Sequence, residues 1–156
     1  HVDLPLSSPR ETQLWQHIFN EIGHVSAETA LSGGGLPRVY RAICAVDGHE
    51  PVLDTPESIT AAGLAGDPIA LEVLEQFCCW LGRVAGNNVL TTGARGGVYI
   101  VGGVIPRFAD FFVESGFARC FADKGCMSNY FKGIPVWLVT APYSGLVGAG
   151  VALDQA

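Results

Sequence analysis

Between Asp67 and Gly93 the sequence reads DPIALEVLEQFCCWLGRVAGNNVLTTG, and this stretch restricts the available folds more than any other. Asp67 offers an N-cap and Pro68 a first-turn proline, which predicts a helix from about Pro68 to Leu90. Apolar residues at 70, 73, 74, 77, 81 and 84 define one face, but Ile69, Cys78, Trp80 and Val89 are spread around the cylinder. A helix that is apolar on more than one side is mostly buried, so the remaining elements must wrap it.

A chain of 156 residues fits one ordinary domain with one core. With 49% apolar residues, 15% charged residues and 20 glycines, the composition suits an α/β fold whose sheet is covered on both faces. The formal charge of −6 and the lack of any Lys or Arg cluster leave no electrostatic footprint for nucleic acid or an anionic membrane. A small or neutral partner is expected instead. The five cysteines are odd in number and contain no C-x-x-C, so neither a disulfide framework nor a structural zinc site is signalled, and a reducing cytoplasm fits. The longest apolar stretch, residues 69 to 91, is interrupted by Glu72, Glu75 and Arg83, and nothing targets a membrane. The sequence enters Val2-Asp3-Leu4 directly from His1, which suggests a piece of a longer chain.

Residues 1 to 4 read as the end of a strand, broken by Pro5. Ser8 and Pro9 then open a helix, with Glu11 at the N3 position of a capping box and Leu14, Trp15, Ile18, Phe19 and Ile22 at helical spacing up to Gly23. A short segment follows over 26 to 31. Three glycines then start a helix carrying Leu36, Val39, Tyr40 and Ile43, and residues 45 to 56 read as loop. Thr55-Pro56-Glu57-Ser58 caps a short helix ending near Gly63. Strands are predicted over 98 to 101 and 135 to 140, with helices near 108 to 121 between them and a terminal helix from Ser144 or Gly145.

Two stretches could carry chemistry. In open α/β sheets ligands gather beyond the carboxyl ends of strands, where loops and helix N-termini present free N–H groups. Gly102 and Gly103 follow the strand VYIV at such an end, and without side chains they would let a base or phosphate approach the backbone. The plainer reading is a tight strand-to-helix turn. The dinucleotide fingerprint G-x-G-x-x-G is absent from GGVIPR. In HVSAETALSGGGL, Glu28 precedes Ser32 and a glycine run. An ionised glutamate can accept hydrogen bonds from two neighbouring sugar hydroxyls, although an isolated glutamate on a helix is ordinarily a solvated surface residue. His1 and His24 lack a third ligand spaced for metal and read as hydrogen-bonded structural histidines.

Taken in order, HVDL, EIGHVSAETALSGGGLPRVYRAI, GGVYIVGGVIPRF, SGFARCFADKGCMSNYFKGIPVWLV and GLVGAGVAL resemble the carboxyl-terminal half of a bacterial glucokinase, across nearly the whole chain. The resemblance implies a ribonuclease-H-like carboxyl-terminal domain of the actin-like ATPase superfamily, helix-rich with a few strands and truncated at its N-terminus. Residues 1 to 156 would form that domain, with the amino-terminal domain absent. Glu28, the last residue of EIGHVSAE, matches a family glutamate that contacts glucose, and His1 matches a sugar-contacting histidine, although the E-G-G expected before it is missing. Gly102 and Gly103 match the adenosine-side turn, and Ser32, Gly33 and Gly34, in the turn that ends at Gly35, are expected to line the nucleotide cleft.

The function so implied is transfer of the γ-phosphoryl group of Mg2+-bound ATP to the 6-hydroxyl of glucose, the entry to glycolysis, by a cytoplasmic homodimer. Such transfer depends mainly on positioning and charge stabilisation. The family's D-x-G-G-T-type phosphate loop and the N-D pair carrying the catalytic base do not occur in this sequence, so the fragment alone is expected to be inactive. The cysteine-and-histidine zinc motif of related sugar kinases is also missing, which places the resemblance with the zinc-free type. Two alternatives remain: a non-catalytic dimerisation or regulatory domain of the same fold, and a kinase for another sugar.

Overall fold

Residues 1 to 155 are described by a computed structural model. The long helix, α5 (Pro68–Thr92), runs through the centre of the described chain. Asp67 accepts a hydrogen bond from the Ala70 N–H at 2.8 Å to start it, and Gly93, in the left-handed region at φ 67°, stops it. Val73, Leu74, Cys78 and Trp80 of this helix are fully buried, and each large apolar side chain so removed from water stabilises the fold by roughly 1.5–3 kcal/mol. The cover comes from α3 (Gly35–Asp47), α4 (Pro56–Leu64) and α7 (Phe117–Ala122), with α1 (Pro9–Ile22) packed on α3. Gly82 and Gly86 let α7 approach the α5 backbone, since a Cβ on Gly82 would stand 2.5 Å from the Phe117 carbonyl oxygen.

Ser8 caps α1 as expected, accepting from the Glu11 N–H at 3.1 Å. Glu11, however, does not close the reciprocal half of a capping box. Its carboxylate accepts from the N–H of Ser7 at 2.7 Å, then turns inward to Arg83 Nη1 at 2.5 Å and Gln76 Nε2 at 3.0 Å. With Glu11 only 3% exposed, the correction has a physical cause: Arg83 and Gln76 of α5 face the start of α1, and a buried cation needs a buried anion. The true capping boxes are Ser26 with Thr29 and Thr55 with Ser58.

The sheet consists of two parallel strands, β1 (Val98–Val101) and β2 (Val136–Val139), paired Val98 with Val136 through Val101 with Val139. Ile100 and Leu138 pack against the core from one face. The other face carries exposed Tyr99 and Trp137, stacked with ring centroids 4.7 Å apart. The expectation of a sheet covered on both faces is therefore not met among the described residues. Residues 1 to 4 contribute a single antiparallel bridge, Asp3 to Ser26, rather than a strand. The helical region after β1 is split into a 3-10 turn (Ile105–Phe108), α6 (Ala109–Glu114) and α7, because Ser115 is extended and Gly116 caps the next turn. A second 3-10 segment, Gly125–Phe131, leads into β2. α8 (Ser144–Asp154) ends the described chain. None of the described helices is long and apolar enough to cross a membrane.

Replacing Glu11 by Ala leaves Arg83 buried without its anion and should cost about 3–5 kcal/mol. Urea denaturation should show a lowered midpoint at unchanged slope, and the further change Arg83→Met should recover part of the loss by removing the stranded charge.

Candidate functional site

The first half of the site is built on α2 (Ala27–Ala30), a single helical turn. Ser26 and Thr29 cap it reciprocally, at 3.3 Å from the Thr29 N–H to Ser26 Oγ and 3.1 Å from the Ser26 N–H to Thr29 Oγ1. The Ala27 N–H donates to the Val2 carbonyl at 2.8 Å, so the first residues of the chain lie beside the turn. That pairing brings His1 to Glu28, with Nδ1 3.0 Å from Oε2 and the side chains 73% and 66% exposed. His1 Nδ1 also lies 3.5 Å from Ser26 Oγ. Glu28 and His1 thus present a carboxylate and an imidazole side by side to solvent, an arrangement able to accept from and donate to vicinal hydroxyls. His24 is exposed, and no hydrogen bond of its ring occurs among the described residues, so it lacks the structural role expected of it.

The second half lies at the carboxyl ends of the two strands. Their parallel register brings Val101 level with Val139, which sets Gly102 and Gly103 beside Thr140 and Ala141. A cavity of about 410 Å³ opens there, walled also by Pro106, Pro142, Tyr143, Ser144 and Gly145. A Cβ on Gly103 would meet no atom within 4 Å, and Gly103 does not occupy the left-handed region, so packing does not require glycine there. At Gly102 a Cβ would also point into open space, but its φ of 154° favours glycine. The cavity wall contains no titratable carboxylate, imidazole, thiol or ammonium. Its chemistry is that of hydroxyls, peptide groups and the free N–H groups at the start of α8, which suits binding rather than proton transfer. Arg107, the cation nearest in sequence, is paired with Glu57 of α4, whose carboxyl it holds below the usual range.

Ser32, Gly33 and Gly34 are not in this wall. Ser32 Oγ accepts from the Gly35 N–H at 3.1 Å, so their turn joins α2 to the start of α3. A smaller hollow of about 110 Å³ is shared by Leu31, Phe77, Leu81 and Gly102, and it connects the end of α2 to the strand end. The sequence reading passed over Thr140 to Gly145 as cavity residues. The signal that could have found them was the rule already applied to the first strand: the loop beyond the second parallel strand faces the same side.

The glucokinase family matches residues 1–156. The chain is 54% identical over 157 aligned residues to a glucokinase of Pseudomonas aeruginosa, covering 100% of this chain and 47% of that protein. Against a glucokinase of Hahella chejuensis it is 47% identical over 156 residues, covering 99% of this chain and 48% of that protein. It therefore spans about half the length of the curated relatives it matches. The crystal structure of a glucokinase from an Antarctic psychrotroph superposes with a TM-score of 0.90 at 36% identity, over 100% of this chain and 49% of that one. A glucokinase from Balamuthia mandrillaris, solved in complex with glucose, shares the fold at a TM-score of 0.77 and 20% identity, over 91% of this chain and 42% of that one. With the helix-rich α/β architecture, the whole-length family match and these relatives in agreement, the chain belongs to the glucokinase family.

Proposed function

We propose that this chain is the carboxyl-terminal half of a glucose kinase, and that the full-length enzyme transfers the γ-phosphoryl group of ATP to the 6-hydroxyl of glucose. The observation that carries the sugar-binding part is the contact of His1 with Glu28 on a doubly capped, solvent-facing turn. Glu28 would accept hydrogen bonds from two adjacent hydroxyls while His1 orients the carboxylate, and exclusion of water on closure would strengthen both bonds. The cavity beyond β1 and β2 fits the base and ribose of ATP: it is uncharged, partly apolar and open above Gly103. ATP supplies the phosphoryl group, while these residues bind and orient.

No group of three or more His, Cys, Asp or Glu able to hold a metal occurs among the described residues. The wall of the cavity beyond the strands carries no carboxylate to hold the Mg2+ that accompanies ATP, so the ligands of that ion would be the phosphates, water and residues outside this wall. The base that takes the proton of the 6-hydroxyl would come from the other half of the enzyme. A cytoplasmic setting belongs to the same reading: four of the five cysteines are buried free thiols, and burial pushes Cys78 up to about 12. The homodimer is checked by light scattering of the full-length protein.

In the full-length enzyme, Glu28→Gln should weaken glucose binding about ten- to a hundredfold, because the charge-assisted part of the hydrogen bonds, roughly 1–3 kcal/mol, is lost. ATP binding and melting temperature should hardly move, since the side chain is exposed. An unchanged glucose dissociation constant by calorimetry would remove Glu28 from the site.

Gly103→Val should raise the KM for ATP at least several-fold and leave that for glucose nearly unchanged. Because a Cβ there meets no protein atom, the melting temperature should stay constant. Equal losses for both substrates with a lowered melting temperature would mark Gly103 as part of a structural turn.

A further inference from the structure

A helix of four residues is too short to hold itself together, because a single turn fixes several dihedral angles for very few hydrogen bonds. The start of α2 is secured by the Ser26 and Thr29 capping box and by the Ala27 N–H to the Val2 carbonyl. Its end has fewer ties. The Leu31 N–H closes on the Ala27 carbonyl at 2.8 Å, and the carbonyl of Thr29, the residue after Glu28, accepts from Nη1 of Arg38 at 3.0 Å.

Arg38 lies in the first turn of α3, which is pressed against the end of α2. A Cβ on Gly35 would stand 2.1 Å from the Ala30 carbonyl oxygen, and the Gly35 N–H donates to the Ser32 carbonyl at 3.0 Å. Arg38 therefore reaches back from a fixed base. No carboxylate among the described residues lies within ion-pair distance of it, as is also the case for Arg95 and Arg119, whereas Arg10, Arg41, Arg83 and Arg107 are ion-paired. Its Nε is buried without a partner. A half-buried cation with an unmet donor is a poor device for stability, since an unsatisfied buried N–H costs more than one hydrogen bond returns. The one side-chain hydrogen bond it makes among the described residues goes instead to the backbone that carries Glu28, and its positive charge sits at the C-terminal end of that turn, where the peptide dipoles favour it.

We propose that Arg38 is a positioning residue for the sugar-binding carboxylate: by holding the Thr29 carbonyl it fixes the turn of α2 from which Glu28 meets the substrate. This rests on the reading of Glu28 as a glucose ligand. Arg38 need not touch the sugar, and its effect passes through the backbone between residues 28 and 29.

The test uses the full-length enzyme with Arg38→Met, Arg38→Lys and Glu28→Gln, singly and with Glu28→Gln combined with Arg38→Met. Arg38→Met should raise the KM for glucose about tenfold, as expected for loss of a charge-assisted hydrogen bond, with a smaller change in kcat and none in the KM for ATP. Lysine keeps the charge and a donor, so Arg38→Lys should recover most of the loss. The double variant should lose much less than the product of the two single losses, because both act through one carboxylate. If Arg38→Met does not accumulate as folded protein, Arg38→Gln carries the same comparison. An unchanged glucose KM in the Arg38 variants while Glu28→Gln raises it would overturn the proposal and leave the role of Glu28 standing. Fully multiplicative losses, or equal rises in both KM values, would also overturn it. If Glu28→Gln itself has no effect, it is the reading of Glu28 that fails.

Discussion

A helix that is apolar on more than one side can persist in water only if its surroundings cover it, and the described fold follows from that demand on α5. Each layer against it does a separate job. α3 and α4 close two sides, α7 closes a third by backbone contact over Gly82 and Gly86, and the 3-10 turn after β1 sends Phe108 edge-on against Phe77 of the helix, with ring centroids 6.1 Å apart. Phe77 and Leu81 also line the hollow between Leu31 and Gly102. The end of α2 and the end of β1 thus rest on the same stretch of α5, so the proposed sugar and nucleotide halves share one support.

Polar groups set the register of that packing. Glu11 and Arg83 join the start of α1 to the middle of α5 in the interior. At the surface Arg10 bridges Asp47 of α3 and Glu72 of α5, holding the Asp47 carboxyl below its usual range. Glu75 accepts from the Gly116 N–H at 3.0 Å and so caps the entry to α7 with a charge. A slip by one helical turn at any of these contacts would part an ion pair or strand a buried charge, a larger penalty than most apolar mismatches. The exposed network contributes less to stability than the buried pair, because water and salt screen it.

The two halves of the site differ in character, and the difference follows from how each is made. Glu28 is a side chain on a turn and His1 one on the segment beside it, where charge and hydrogen-bonding capacity can be matched to hydroxyls. The cavity past the strands is made by backbone and small residues, where the gain is shape and access. In the proposed reading both halves bind and orient, and the proton of the 6-hydroxyl goes to a base outside them. For a phosphoryl transfer governed by positioning, such a division of roles, as proposed, is chemically coherent.

Local order was largely legible in the sequence. The caps at Ser8, Asp67 and Thr55, the burial of the helix after Pro68, the strand VYIV and the glycine pair after it all follow from short-range sterics and hydrogen bonding, which act within a few residues of the chain. Glu28 and His1 could be named from the resemblance, but that they meet depended on residues 1 to 4 pairing beside Ser26. Only the tertiary structure turned Glu11 from a capping residue into the anion for Arg83, brought Arg38 to the Thr29 carbonyl, and set Thr140 to Gly145 opposite Gly102 and Gly103. These outcomes join residues from 9 to 72 positions apart. Sequence pattern encodes which residues prefer burial, but partners for buried charges and cavity walls are chosen only when distant elements pack.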